Sequence, residues 1–320
     1  MTLDEGTSLE QCKETMPKNN ADSMHPQNGV SRAVVTCLLE FFQPDMRPLR
    51  ISAISYLNTA PLMWDFEHGR AGEIFNVGYT LPSHCADELQ RGTADVGIIP
   101  SAAYVTVPGL SILPGIAIAS KQAVRSILLV SRKPMAEIRT VALDSSSLTS
   151  AALARILFEK CWGGDRQFSS LPPNLQGMLA DHDAALLIGD PALKVDRSQF
   201  HTWDLAEEWI RITGKPFVFA FWAVRQDAAK LSSLDLASIF QESRDHGLEP
   251  ENLRQIARAW GPKLGLSEED IRQYLTFNIH YFLDEACVEG LRLFYRYAYE
   301  CKVLPRAPEL HFADAKPALI

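Results

Sequence analysis

The order of elements along this 320-residue chain predicts an α/β protein of two lobes, the second inserted into the first and joined to it by a two-strand hinge. Three observations predict it. Apolar β-rich runs alternate with helix-compatible stretches, the order that builds a mainly parallel sheet. Several of those runs, Ala184 to Ile188 among them and Ala94 to Ile99 apart from Asp95, are almost wholly apolar, as strands covered on both faces are. Two further runs, near 126 to 131 and 217 to 225, bracket a middle block that has its own strand and helix units. The division expected is an N-terminal extension over 1–48, lobe 1 over 49–124 and 222–320, and lobe 2 over 125–221.

Taken in order, residues 1 to 45 are rich in Asn, Asp, Glu, Gln and Ser and read as an extension without a core of its own. Within them only Ala33 to Phe42 could form a short helix, and Met46 directly precedes the first convincing strand, which suggests a start of translation there. From Leu49, LRISAISYLN is a strand running into Thr59-Ala60-Pro61 and a helix over Leu62 to His68. Phe75 to Thr80 is the next strand, followed by a helix to Arg91 with Ser83 as its expected N-cap. The third strand ends at Pro100-Ser101. Ser126 to Ser131 and Thr140 to Leu143 follow, then a helix over Ser150 to Cys161 and the buried strand before Gly189-Asp190. After Phe217 to Arg225 the chain turns helical: Ser233 to Gly247, Pro250 to Leu264, Ser267 to Phe277 and Glu285 to Cys301. The apolar faces of Pro250 to Leu264 and Glu285 to Cys301 read as core, with a homodimer face as the alternative.

Composition removes several function classes. A formal net charge of -8 does not suit a surface built on clustered Lys and Arg, so nucleic acid is not an expected partner. No run is long and apolar enough to span a bilayer, and no signal peptide is visible at the start, so a cytoplasmic location and no membrane partner are expected. The six cysteines, at 12, 37, 85, 161, 287 and 301, form no CxxC pair and read as free thiols. Dinucleotide, P-loop, zinc-protease and nucleophile-elbow motifs are all missing, and no metal site is expected. The eight scattered histidines receive no role.

What the sequence does offer is small polar residues at strand ends. Ser55-Tyr56-Leu57-Asn58-Thr59 follows the first strand, Pro100-Ser101 the third, Asp144 to Ser150 (DSSSLTS) the TVAL strand, and Gly189-Asp190 the apolar run from Ala184. In an open α/β sheet such ends converge on one crevice. Hydroxyls ahead of a helix can join its first amides in holding a carboxylate, which points to a small polyoxygenated acid as substrate. Taken singly, each position reads about equally well as an ordinary N-cap or turn residue. Asp144 and Asp190 are weaker as bases than as caps, and Arg125 is either a carboxylate clamp or a surface residue.

The strings SYLNTAPL (Ser55 to Leu62), DVGIIPSAAY (Asp95 to Tyr104), VRSILLVS (Val124 to Ser131), VALDSSSLTSAAL (Val141 to Leu153), LLIGDPAL (Leu186 to Leu193) and the segment Trp203 to Arg225 together resemble chorismate dehydratase of the futalosine route to menaquinone. The resemblance runs from about residue 49 to about residue 300. It implies a periplasmic-binding-protein-like type II fold used for catalysis, and dehydration of chorismate to 3-[(1-carboxyvinyl)oxy]benzoate without an added cofactor. Substrate-assisted proton removal is implied as well. Carried over by position, Asn58 is the expected catalytic group, touching the leaving hydroxyl. Ser55, Ser101, Arg125, Ser126, Ser146, Thr149, Ser150, Gly189 and Asp190 are the expected substrate binders. Leu148 departs from the family pattern, in which a charged or polar residue, often arginine, stands in the Ser-Thr run. The alternatives are a non-catalytic small-acid receptor of the same fold and another enzyme of the same pathway.

Overall fold

The computed structural model describes residues 47–314. The helix expected at Ala33 to Phe42 and the start at Met46 fall outside those residues, as does all of the 1–48 extension except Arg47 and Pro48.

Ten strands in the described residues form two five-stranded sheets. The first contains β1 (Leu49–Ile54), β2 (Phe75–Thr80), β3 (Val96–Pro100), β4 (Leu110–Ser120) and β10 (Phe217–Arg225), in the order β2-β1-β3-β10-β4. The second contains β5 (Ile127–Ser131), β6 (Thr140–Asp144), β7 (Gln167–Leu171), β8 (Ala184–Ile188) and β9 (His201–Asp204), in the order β7-β6-β8-β5-β9. The two follow one plan. In each, three parallel strands lie beside a single strand that is antiparallel to both of its neighbours. That antiparallel strand is the one that arrives from the other sheet: β5 enters the second sheet after β4, and β10 returns to the first.

The chain therefore crosses between sheets twice, through residues 121–126 and 214–216. All of β10 from Phe217 pairs inside the first sheet, so the return crossing lies ahead of β10 and not at the expected break between residues 221 and 222. Gly290 lets helix Glu285–Glu300 press onto this crossing, where a Cβ would collide with the Pro216 carbonyl. From Arg47 the chain forms one compact unit. Its main core is continuous across both sheets, from Ile51 and Trp222 to Val141 and Ile188. A smaller apolar cluster, including Leu128, Val130, Met178 and Leu187, covers the outer face of the second sheet.

Several elements differ from the sequence reading, each for a local reason. β4 is the longest strand and was not expected, because Pro114-Gly115 at its middle reads as a turn. The strand instead absorbs the pair with Gly115 at φ 79° and shifts register against β10. β7 and β9 are short edge strands whose polar, partly exposed residues carry little apolar signal. The helix ending at Arg91 starts at Pro82 with Leu81 as its N-cap. Ser83 is inside the helix, because proline suits the first helical position. The helix expected over Ser150 to Cys161 begins earlier, at Leu148, and ends in a π-turn over Phe158–Trp162. Helices Pro250–Leu264 and Glu285–Glu300 bury Leu253, Ile256, Leu291 and Phe294, so their apolar faces serve the core. The four cysteines in the described residues are free thiols.

Candidate active site between the two sheets

The carboxyl ends of β1, β3, β6 and β8 meet around one cavity, with about 490 Å³ of atom-free space counting the solvent at its mouth. From the first sheet come Ile54, Tyr56, Asn58, Pro100, Ile118 and Phe219. From the second sheet and the first crossing come Ser126, Ser147, Thr149, Ser150, Ile188 and Gly189. Among the described residues the lining contains no Lys, Arg, His, Asp or Glu.

The local sequence explains each placement. Asn58 rides on a 3-10 turn, Leu57–Met63, that starts as soon as β1 ends. Leu57, Leu62 and Met63 are buried beneath it and leave Asn58 half-buried at the surface of the cleft. Asn58 Oδ1 accepts a 3.4 Å bond from the Thr59 hydroxyl, and its amide nitrogen has no partner among the described residues. Ser147 caps helix Leu148–Leu157, its hydroxyl accepting from the Ser150 amide at 3.2 Å. The amides of Leu148 and Thr149 in the same first turn have no carbonyl four residues back to bond, so they remain donors at the positive end of the helix. Gly189 takes φ 60° where β8 turns into the short helix Gly189–Leu193. The Tyr56 ring packs on it so closely that an added Cβ would lie 3.0 Å from two ring carbons.

Five of the sequence candidates, Asn58, Ser126, Thr149, Ser150 and Gly189, share this wall. The other five do not line it, and their bonds explain why. Ser55 is exposed. The Ser101 hydroxyl donates to the Val218 carbonyl at 2.8 Å, and the Ser101 carbonyl accepts from Tyr295 at 2.7 Å. Ser146 turns back to Asp144, donating from its hydroxyl at 2.6 Å and its amide at 2.9 Å. The Asp190 carboxylate accepts from the Leu57 amide at 3.2 Å and so ties the second sheet to the first. Arg125, at φ 64°, sits in the first crossing, where its amide donates to Asp204 at 2.6 Å. Thr149 lines the cavity and also accepts from the Ala102 amide at 3.0 Å, a second tie between the sheets.

Burial raises the Asp144, Asp190 and Asp204 carboxyls above their ordinary value, although amide donors to each offset part of that rise. Burial likewise raises the Tyr56 phenol. Of the sixteen lining residues, eleven were not among the sequence candidates. Tyr56, Thr59 and Ser147 lie within the very strings that drew notice. Phe219 is an apolar residue in mid-strand and reads as core, so no signal marked it. Away from the cavity, His280, Asp284 and Cys287 place ligand atoms within 4.8 Å of one another. However, the Lys121 ammonium already sits 2.6 Å from Asp284, and Asp284 caps helix Glu285–Glu300. A cation would have to displace that charge.

Comparison with known proteins agrees with this architecture. Protein AF1704 of Archaeoglobus fulgidus superposes with a TM-score of 0.66 at 17% identity, covering 80% of this chain and 98% of that one. The periplasmic aliphatic sulphonate binding protein of Escherichia coli superposes at 0.59 and 16% identity, covering 82% and 95%. At these identities the likeness shows the fold, which is the periplasmic-binding-protein-like α/β fold expected. By sequence, chorismate dehydratase of Thermus thermophilus is 30% identical over 281 residues, 82% of this chain and 98% of that protein. A family model described as menaquinone biosynthesis matches residues 49–300. By both the extent of that match and the span of its Thermus relative, the chain belongs to the menaquinone biosynthesis family.

Proposed function

We propose that this chain dehydrates chorismate to 3-[(1-carboxyvinyl)oxy]benzoate in the cytoplasm. The observation that carries the reading is the match along nearly the whole length of a chorismate dehydratase, joined to a cavity whose chemistry suits such a substrate. Chorismate is a small cyclic diacid carrying a hydroxyl. The cavity pairs apolar surface for a ring with hydroxyls and helix-terminal amides for oxygen anions.

The reaction removes the ring C3 proton and the C4 hydroxyl as water, and the ring becomes aromatic. The driving force is large, so the protein has to position the substrate and stabilise a leaving hydroxyl more than supply a strong acid. In this reading Asn58 donates a hydrogen bond from its unpartnered amide to the C4 oxygen, while the substrate's own enolpyruvyl carboxylate takes the C3 proton and passes it to that oxygen, which leaves as water. Ser126, Thr149, Ser150 and the free amides at Leu148 and Thr149 hold carboxylate oxygens. The ties Asp190 to Leu57 and Thr149 to Ala102 hold the two sheets together beside the cavity.

The test is to incubate the purified chain with chorismate and follow the products by chromatography with mass detection. A product lighter by one water, aromatic and still carrying the enolpyruvyl group, is expected. Binding without turnover would replace the enzyme by a receptor.

A further inference from the structure

Ser126 stands where the first crossing enters β5 and is one of the residues lining the cavity, itself 1% exposed. Behind it lies Tyr274, from the helical C-terminal part of the chain. Its ring is fully enclosed at 1% exposure, and its hydroxyl is 2.8 Å from Ser126 Oγ, with no other hydrogen-bond partner among the described residues.

The placement is built by an irregular turn. After helix Glu268–Gln273 the chain makes a π-turn, Tyr274–Asn278, closed by a 3.2 Å bond from the Ile279 amide to the Tyr274 carbonyl. Such turns are rare and recur at functional sites. This one holds the end of β4 and the crossing at three further points. The Ser120 hydroxyl donates to the Asn278 carbonyl at 2.9 Å, Asn278 Nδ2 donates to the Ala123 carbonyl at 2.9 Å, and Gln122 Nε2 donates to the Phe277 carbonyl. The phenol and the serine are thus fixed relative to each other from both chain segments.

The proton arrangement follows from the partners. A buried phenol has to spend its proton, and Ser126 Oγ is the acceptor within reach. Ser126 then accepts one bond, while its own proton has no acceptor among the described residues and is left for the cavity. The lining carries no cationic side chain, so a bound carboxylate has to be met by neutral donors. A hydroxyl that already accepts a bond is a stronger donor, because bonds in a chain polarise one another.

We propose that Tyr274 is a positioning residue for anion binding: it donates to Ser126 Oγ and so commits the Ser126 hydroxyl, polarised, to one carboxylate oxygen of the bound diacid. This rests on the proposed function, and the experiment separates the two.

Steady-state constants with chorismate are measured for wild type, Tyr274→Phe, Ser126→Ala and the double variant. Tyr274→Phe raises KM about 5- to 10-fold with kcat within about 2-fold, as loss of ground-state binding does. In the Ser126→Ala background the same change adds nothing, because its only route to the substrate is gone. An unchanged KM in Tyr274→Phe, or the same penalty repeated in the Ser126→Ala background, overturns the role and leaves Tyr274 as packing. Should Tyr274→Phe not fold, 3-fluorotyrosine at position 274 carries the test, since it keeps the ring and makes its hydroxyl a stronger donor to Ser126. A lowered KM at unchanged kcat and melting temperature supports the relay, and an unchanged or raised KM overturns it. A wild-type chain that neither binds nor turns over chorismate refutes the proposed function and the relay with it. Wild-type turnover with an unaffected Tyr274→Phe refutes the relay alone.

Discussion

The wall given by the first sheet and the wall given by the second differ in chemistry although the sheets share one topology. Ile54, Pro100, Ile118 and Phe219 make the first wall apolar, with the half-buried Asn58 as its amide. Ser147, Thr149 and Ser150 make the second a row of hydroxyls at a helix N-terminus, with Ser126 of the first crossing as a fourth. The difference extends to buried carboxylates. On the first sheet Asp95 is met by two guanidiniums, Arg50 at 2.9 Å and Arg47 at 2.6 Å. Burial alone would raise its carboxyl, but the bonds from Arg47 and Arg50 outweigh that and hold it well below the ordinary range. On the second sheet Asp144 accepts only from amides and a hydroxyl, and burial wins. The buried acid of the first sheet is thus met by cations and Asp144 of the second by neutral donors, although the half-buried Asp183 ahead of β8 is lowered by the Lys133 ammonium; neutral donors are what a cavity without Lys or Arg has to offer a ligand.

If the first wall holds the ring and the leaving group, Asn58→Ala has the largest effect. Turnover falls about 100-fold with KM little changed, the size expected for one polar group acting mainly in the transition state. Full turnover in that variant would move the chemistry to the second wall. Next in size is Asp95→Asn, a stability effect remote from turnover. It removes charge from a carboxylate that accepts from Arg47, Arg50 and the Arg50 amide, and lowers unfolding free energy by about 2 kcal/mol at pH 7, kept modest because Arg47 is exposed. Denaturant titration checks it. Smaller again is Ser150→Ala on the hydroxyl wall, where KM for chorismate rises about 5-fold and kcat holds, as for a single neutral hydrogen bond. A fall in kcat instead would erase the division of labour between the walls.

Much of this arrangement was legible in the sequence because strand ends are. A near-continuous apolar run ending in Ser, Asn or Gly marks where a parallel strand delivers its residues to the crevice, and Asn58, Thr149, Ser150 and Gly189 follow from that, whereas Ser126 precedes the antiparallel β5 and was reached only through the family resemblance. What could not be read is which polar groups are already spent. Ser101 and Asp190 look as available as Ser150 in the sequence, yet the first is bonded to Val218 and the second to Leu57, across the fold. Phe219 gave no signal because a wall residue and a core residue are the same residue in a strand. Tyr274 reaches Ser126 only through a π-turn 148 positions further along the chain, and helical periodicity does not announce such turns.

Asp190→Asn tests the electrostatic half of the comparison through the smallest change. The amide keeps an oxygen for the Leu57 N–H, so the tie between the sheets survives and only the charge is lost. Because burial raises the folded carboxyl above its unfolded value near 3.8, wild-type Asp190 contributes most below that value, and its contribution is lost as pH rises through the raised folded value. Asp95 runs the other way, its contribution being present above 3.8 and lost as pH falls toward its depressed folded value. Unfolding free energies at pH 3.5 and pH 7 should therefore show Asp190→Asn gaining on wild type with rising pH, by less than about 1 kcal/mol, and Asp95→Asn losing ground over the same interval. Parallel pH responses in the two variants would mean that both sheets handle buried acid in the same way, and the hydroxyl wall would then need another explanation for its lack of cations.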